Sequence, residues 1–169
     1  MALVHNILLR ALNCISLQAP HISSSNSTLV SSFCRYILTF HSFLHIHHTD
    51  EETSFFPYIE ALTGEKGVMD VNVRQHGEFE EVLGELKGYI DGVLAGREAW
   101  DGRRVVEMVE GFGGLLARHL GEEVQTLVGL RRFGRERMEG VGREVDRQAE
   151  RSMVSLPPSL GREKTVHGC

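Results

Sequence analysis

The sequence predicts an all-α protein, folded as an up-down-up-down four-helix bundle with a peripheral charged C-terminal segment. Four segments repeat apolar residues at the three- and four-residue spacing of an amphipathic helix. Mostly short connections join these segments. No part of the sequence convincingly alternates apolar and polar residues as a strand does. We therefore expect a helical bundle over residues 1–133, a charged peripheral helix over residues 134–153 and an irregular tail over residues 154–169.

The composition is that of a soluble globular protein, with 41% apolar and 24% charged residues. A formal net charge of −5 argues against a nucleic-acid partner, and no stretch is long and apolar enough to span a membrane. No particular protein partner is indicated. The three cysteines lack disulfide or CxxC spacing, so we expect a reducing, cytoplasmic location; they are Cys14, Cys34 and Cys169.

The four helices are predicted from their apolar faces and from the residues that cap them. The first covers residues 2–17, and the second covers residues 27–62 with Ser27 as its N-cap. Pro57 either bends the second helix or ends its regular part near Phe56. Asp70 is the expected N-cap of a third helix over residues 71–94, and a short connection leads to a fourth over residues 103–132.

The prediction of function starts from the stretch FLHIHHTDEETSFFP, residues 43–57. His47 and Glu51 lie one helical turn apart on the same face as the apolar residues. A histidine and a glutamate that both point into a core need a partner that offsets their desolvation, and a metal ion is such a partner.

A competing pair on the same helix is His48 with Glu52, rotated by about 100° from the first pair. We rank this pair second and leave Glu52 as a possible extra ligand. Three further histidines lie to the side of the apolar face, and we assign them to the surface or to positions behind the ligands; they are His41, His45 and His48.

The other helices supply matching residues at inward positions. Together the seven candidate metal ligands are His5, His47, Glu51, His76, Glu80, His119 and Glu123. Seven ligands suit two metal ions, and mixed imidazole and carboxylate donors favour iron or manganese, with zinc a possible substitute. Each pair alone is more often a solvated contact, and a lone inward histidine is more often a hydrogen-bonded core residue. Three helices that each bury such a pair favour a metal site.

These motifs resemble the hemerythrin-like, or HHE cation-binding, domain family in its fungal single-domain form. The matching segments, over residues 1–130 or so, are HN, HHTDEETSFFP, QHGEFEE and HLGEEVQTL. The resemblance implies a bundle that holds a non-haem di-iron centre bridged by carboxylates and an oxo or hydroxo group. The residues that match its ligand positions are His5, His47, Glu51, His76, His119 and Glu123. Glu80 stands where oxygen-carrying members have a second histidine, which argues against reversible oxygen carriage.

Three functions follow as hypotheses. The first is a non-enzymatic di-iron protein that binds or senses iron, dioxygen or another small diatomic ligand. The second is a di-iron oxidase or peroxidase, for which Tyr58 and Glu52 are the only nearby acid–base candidates. The third is a metal-free bundle that acts by contacts alone, with the charged segment after Phe133 as its partner surface.

Overall fold

The computed structural model describes residues 1–154, which are helical with no strand, and this confirms the predicted all-α fold class. Its α-helices are α1 (Ala2–Gln18), α2 (Ser27–Asp50), α3 (Phe56–Thr63), α4 (Asp70–Leu94), α5 (Gly102–Gly129) and α6 (Arg135–Val154). A π-helical turn over Glu51–Phe55 joins α2 to α3, and 3₁₀ turns cover Ala19–His21 and Leu130–Phe133. Apart from its first residue, the predicted irregular tail lies outside the described residues. Within residues 1–154, no helix has the length and apolarity needed to cross a membrane.

The four long helices form a closed ring of contacts. Helix α1 packs against α2 and α5, and α4 packs against the same two helices. Helices α1 and α5 run antiparallel, because His5 lies beside Leu120 while Ala19 lies beside Gly102. This is the arrangement that short connections between amphipathic helices favour.

Polar caps set the starts of α2 and α5. The side chain of Asn26, rather than Ser27, caps α2 by accepting a hydrogen bond of 3.0 Å from the backbone N–H of Leu29. The predicted N-cap was therefore one residue too late, because Asn26 provides a carboxamide oxygen at the preceding position. Asp101 caps α5, whereas Asp70 is the first residue of α4 and not its cap.

The π-helical turn interrupts the second long helix just before Pro57. Its widened ring closes with a bond from the backbone N–H of Phe56 to the carbonyl of Glu51. In a regular helix the proline ring would clash with the carbonyl four residues earlier, and a π turn is one way to relieve that crowding. The regular helix therefore ends at Asp50 and resumes at Phe56, whereas the sequence had placed its possible end near Phe56.

A close backbone contact fixes the start of α5. A Cβ atom on Gly102 would lie 2.0 Å from the carbonyl oxygen of Ala19, so only glycine fits there. Nearby, the indole N–H of Trp100 donates a 2.9 Å hydrogen bond to the carbonyl of Ile22. The loop after α1 and the beginning of α5 are thus held together at one end of the bundle.

Two apolar clusters fill the interior, and a polar layer separates them. The larger cluster lies between α1, α2, α4 and α5, and the smaller one contains Phe55, Phe56, Ile59, Met69, Leu127, Leu130 and Val141. Along α2 the chain passes from Leu44 in the larger cluster, through His47 and Glu51, to Phe55 in the smaller one. His47 and Glu51 therefore lie inside the bundle with apolar side chains on both sides.

The charged helix α6 packs over the end of the bundle that holds the smaller cluster. Its inward residues are Val141, Glu144 and Gln148, which are 3%, 5% and 2% exposed. Gly140 allows a close approach to α3, since a Cβ there would lie 3.2 Å from the hydroxyl of Tyr58. The sequence predicted this segment as a helix with a thin apolar stripe but not its contact with the core; the domain boundaries at residues 133 and 153 stay predictions.

Candidate metal centre

Within residues 1–154, two groups of buried side chains bring metal-ligating atoms together. One consists of His48, Glu51, His76 and His119, and the other of His5, His47, Glu51 and Glu123. In each group, one ligand atom per residue lies within 4.8 Å of all the others, and every residue is 8% exposed or less. Because Glu51 belongs to both groups, its carboxylate can bridge two cations.

Two of three distances between donor atoms fit a shared ion, and the third is slightly longer. The Nε2 of His47 lies 3.1 Å from one oxygen of Glu51, and the Nε2 of His76 lies 3.6 Å from the other. In the second group, the Nε2 of His5 lies 3.1 Å from Oε2 of Glu123. Two atoms that each bind one ion at about 2.1 Å lie about 3.0–3.4 Å apart in octahedral or tetrahedral geometry.

Hydrogen bonds outside the centre fix the tautomers of two ligating rings. The Nδ1 of His5 donates a 2.9 Å bond to the carbonyl of Leu120, and the Nδ1 of His76 donates a 2.6 Å bond to Glu52. Both partners accept only, the latter as a carboxylate, so the proton of each neutral ring lies on Nδ1. The Nε2 atoms of both rings therefore present lone pairs to the centre.

A third ring, His119, is held in the same way through a longer network. Its Nδ1 donates a 3.1 Å bond to Oε1 of Gln75, whose amide nitrogen donates to the carboxylate of Glu122. The carboxylate orients the amide, and the amide oxygen then orients the ring. The lone pair on Nε2 of His119 again points inward.

Two inward lone pairs face each other across a short distance. The Nε2 atoms of His76 and His119 are 3.1 Å apart, and a hydrogen bond between them would need one ring protonated on both nitrogens. Burial lowers the pKa of both rings, that of His119 to about 3, so neither ring carries the second proton at neutral pH. A cation between the nitrogens would turn this repulsion into attraction.

Buried polar atoms without a hydrogen-bond partner concentrate at the centre. Among the described residues they belong to His5, His47, His48, Glu51 and Glu123, together with the amides of Asn72 and Gln148. Such atoms are rare in folded proteins and costly when nothing compensates them. Here a pair of cations would compensate most of them at once, so the residues fit a two-metal site.

The electrostatics favour neutral imidazoles and disfavour a free carboxylate. Burial lowers the pKa of His47 and His48, and neighbouring histidines lower it further. Burial, and then Glu123, raises the pKa of Glu51 well above its ordinary value. Without a cation, Glu51 is therefore driven to take up a proton, whereas a bound cation would stabilise its ionised form.

Of the seven predicted ligands, six come together in these two groups: His5, His47, Glu51, His76, His119 and Glu123. Glu80 does not join them, because it is exposed, and its predicted inward orientation is wrong. Phe79 takes the inward position of α4 at this level and is 1% exposed. Val73, seven residues before Glu80 and also predicted inward, is 40% exposed, so one edge of the predicted α4 face is turned to solvent. Most of the rest of that face is buried as predicted, at His76, Phe79, Leu83, Leu86 and Ile90.

His48 corrects a second prediction, because it lies in the centre and not at the surface or behind the ligands. It is 8% exposed, and its ring stacks on that of His76 with centroids 4.0 Å apart. His47 and His48 point about 100° apart, and each belongs to a different group, so one helix contributes a histidine to both groups. One signal was available in the sequence: Glu51 follows His48 by three residues, which is also a helical neighbour spacing. His45 is exposed, as predicted.

A pocket of about 160 Å³ reaches the first group from the surface. Its lining residues are His45, His48, Thr49, Glu52, His76, Phe79, Glu80 and Leu83. Glu52 is 41% exposed there while it holds Nδ1 of His76. The candidate residues Glu52 and Glu80 therefore line the approach to the centre.

A helical bundle whose core holds histidines and carboxylates, with lone pairs directed at two shared points, belongs to the class of cation-binding bundle proteins. The family model described as the hemerythrin HHE cation binding domain matches residues 1–130. The chain belongs to this family.

Among curated proteins, the chain is similar to the dimeric xanthone biosynthesis cluster protein R11 of Cryptosporiopsis sp. (strain 8999), with 25% identity over 150 residues. The similarity covers 89% of this chain and 56% of the relative, so the chain spans little more than half the length of that protein. No solved structure shows significant similarity to the chain.

Proposed function

We propose that this protein binds two non-haem iron ions in its core and uses them to bind or sense dioxygen or another small diatomic molecule. The observation that carries the proposal is the set of imidazoles whose Nδ1 atoms are engaged outside the centre. Those of His5, His76 and His119 leave three Nε2 lone pairs directed at the points that share Glu51.

The donor set is compatible with the proposed iron. Mixed imidazole and carboxylate ligands inside a helical bundle suit iron or manganese, and zinc is a possible substitute. The two groups share only one carboxylate, so each offers several nitrogen donors. When bound, a ferrous pair would supply the electrons and the open coordination position that dioxygen binding requires.

The size of the pocket favours a small ligand. A volume of about 160 Å³ holds a few molecules the size of water, each of which occupies about 30 Å³ in the liquid. Phe79 and Leu83 close one side of the approach, and both are at most 5% exposed. These side chains would exclude bulky molecules from His48 and His76.

The proposal is tested by the absorption spectrum on exposure to air. We expect the wild type, loaded anaerobically with ferrous iron and desalted, to develop the near-ultraviolet bands of a paired ferric centre. His119→Ala should lose about one ion per chain and weaken the bands, because it removes one donor from one group. His21→Ala is the matched control, since His21 is exposed and belongs to neither group.

A visible band that bleaches on deoxygenation would indicate reversible oxygen binding. Iron that stays bound but develops no near-ultraviolet bands would contradict a paired centre. Wild-type protein that retains no iron would favour the metal-free bundle that acts by contacts alone.

An oxidase or peroxidase remains the second candidate, and the position of Glu52 favours it. This carboxylate is partly exposed in the pocket and bonded to His76, so it could carry a proton between solvent and the centre. Tyr58 does not line this pocket. Steady consumption of peroxide that Glu52→Gln abolishes would favour this candidate over a binder.

We further propose a cytoplasmic location and no nucleic-acid or membrane partner. Cys14 and Cys34 are free thiols, as a reducing compartment would keep them. The net charge of −5 would repel polyanions.

A further inference from the structure

Helix α6 places a buried amide beside the carboxylate that the two groups share. Gln148 is 2% exposed, and neither its Nε2 nor its Oε1 has a hydrogen-bond partner among the described residues. Gln148 lies three residues before Arg151 on α6, and Arg151 binds Asp50, the residue that precedes Glu51. Because α6 packs against the π-helical turn, and residues three apart share one face of a helix, the buried amide faces the turn that carries Glu51.

Contacts on both sides of Gln148 hold this part of α6 in place. Arg151 binds both carboxylate oxygens of Asp50 at 3.1 Å, and Asp50 directly precedes Glu51. About two turns before Gln148, Val141 belongs to the same apolar cluster as Phe55, the last residue of the π-helical turn. The helix thus spans the π-helical turn that carries Glu51 and is attached at both of its ends.

An amide suits this position better than a charged group. Its N–H can donate to a carboxylate, which favours the ionised form, and it adds no charge to a centre that already holds two buried carboxylates. A buried amide without a partner destabilises the folded state, and a hydrogen bond to an ionised Glu51 would remove that penalty. None of the described side chains of α6 lines the open pocket, so the amide does not stand in the path of an entering ligand.

We propose that Gln148 is a positioning residue for the metal centre: its Nε2 donates to the carboxylate of Glu51 and holds that carboxylate between the two groups. This inference rests on the proposed function, because it requires metal to be bound. It makes α6 a working part of the centre, so the site depends on residues beyond the 1–130 segment that the family model matches.

The test compares Gln148→Met with the wild type, both loaded anaerobically with ferrous iron. Methionine keeps the length of the side chain and removes the hydrogen-bond donor. We expect iron to pass to a ferrous chelator at least ~10-fold faster from the variant, since losing a hydrogen bond that orients a ligand typically costs 10–100-fold in metal affinity. Gln125→Met is the matched control, because Gln125 is exposed on α5, and it should release iron like the wild type.

A second readout separates positioning from packing. In the metal-free proteins, Gln148→Met should leave the melting temperature unchanged or higher, because it removes an unpaired buried amide. Iron release at the wild-type rate, or a metal-free melting temperature that falls well below that of the wild type, would overturn the inference alone. A wild type that binds no iron would overturn the proposed function and this inference together.

Discussion

The hydrogen bonds at the outer nitrogens of the imidazoles decide what the inner nitrogens can bind. Leu120, Glu52 and Gln75 each accept from an Nδ1 atom, so three rings turn their lone pairs toward the centre. Burial lowers the pKa of His76 and His119, which keeps these two rings neutral, and ligands for a cation must be unprotonated. The three imidazoles are therefore preorganised for metal binding in the metal-free protein.

Neutral buried histidines predict how the stability of the metal-free protein depends on pH. The pKa of His119 is about 3 in the folded state, against about 6.5 when unfolded, so only the unfolded chain takes up this proton as the pH falls below 6.5. Between pH 7.5 and 5.5 this residue alone should cost about 1.4 kcal/mol of unfolding free energy. His47, His48 and His76 act in the same direction, because burial lowers their pKa values too.

Glu51 acts in the opposite direction, since its raised pKa makes the folded state hold a proton that the unfolded chain releases above about pH 4.5. Four histidines against one glutamate should leave the metal-free protein less stable at pH 5.5 than at pH 7.5, as urea unfolding would measure. His119→Gln should flatten the dependence, and His21→Ala should not. Stability that rises on acidification would contradict neutral buried histidines.

The packing of the helices and the breaks between them determine where the candidate ligands come together. The π-helical turn at Glu51–Phe55 lies at the shared carboxylate, and the Gly102 contact fixes the register of α1 against α5. That register brings His5 to Glu123, because the two helices run antiparallel from the contact at Ala19. A local backbone contact thus controls a distance at the far end of the bundle.

Gly102→Ala tests this control. The new Cβ would overlap the Ala19 carbonyl, so we expect a loss of about 1–3 kcal/mol in unfolding free energy. Gly114→Ala on the same helix meets nothing within 4 Å and should stabilise by up to about 1 kcal/mol. Thermal or urea unfolding measures both, and equal effects of the two substitutions would show that the Ala19 contact does not constrain the bundle.

The helices were predictable from the sequence because apolar periodicity is a local property. Six of the seven candidate residues came together for the same reason, since each lies on an apolar face. The exposure of Glu80 and the inward position of His48 depend on how α4 and α2 rotate against their neighbours, which periodicity fixes only to within tens of degrees. The buried position of Gln148 was not predictable, because it depends on α6 packing across the π-helical turn.

For the whole molecule, the bundle is two apolar clusters with a layer of imidazoles and carboxylates between them. Apolar packing on both sides stabilises the fold, while the polar layer costs stability unless its charges are compensated. Metal binding should therefore be linked to folding, so that the loaded protein is more stable than the metal-free one. The stability of the fold and the occupancy of the cation site should therefore depend on each other.

The most direct test of this account is the metal content per chain. Elemental analysis after anaerobic loading with ferrous iron and desalting should find about two ions per chain, one for each group that shares Glu51. Glu51→Ala should lower the content below that of any single-histidine variant, because Glu51 serves both groups. A wild-type content near zero, with helical circular dichroism intact, would contradict the account.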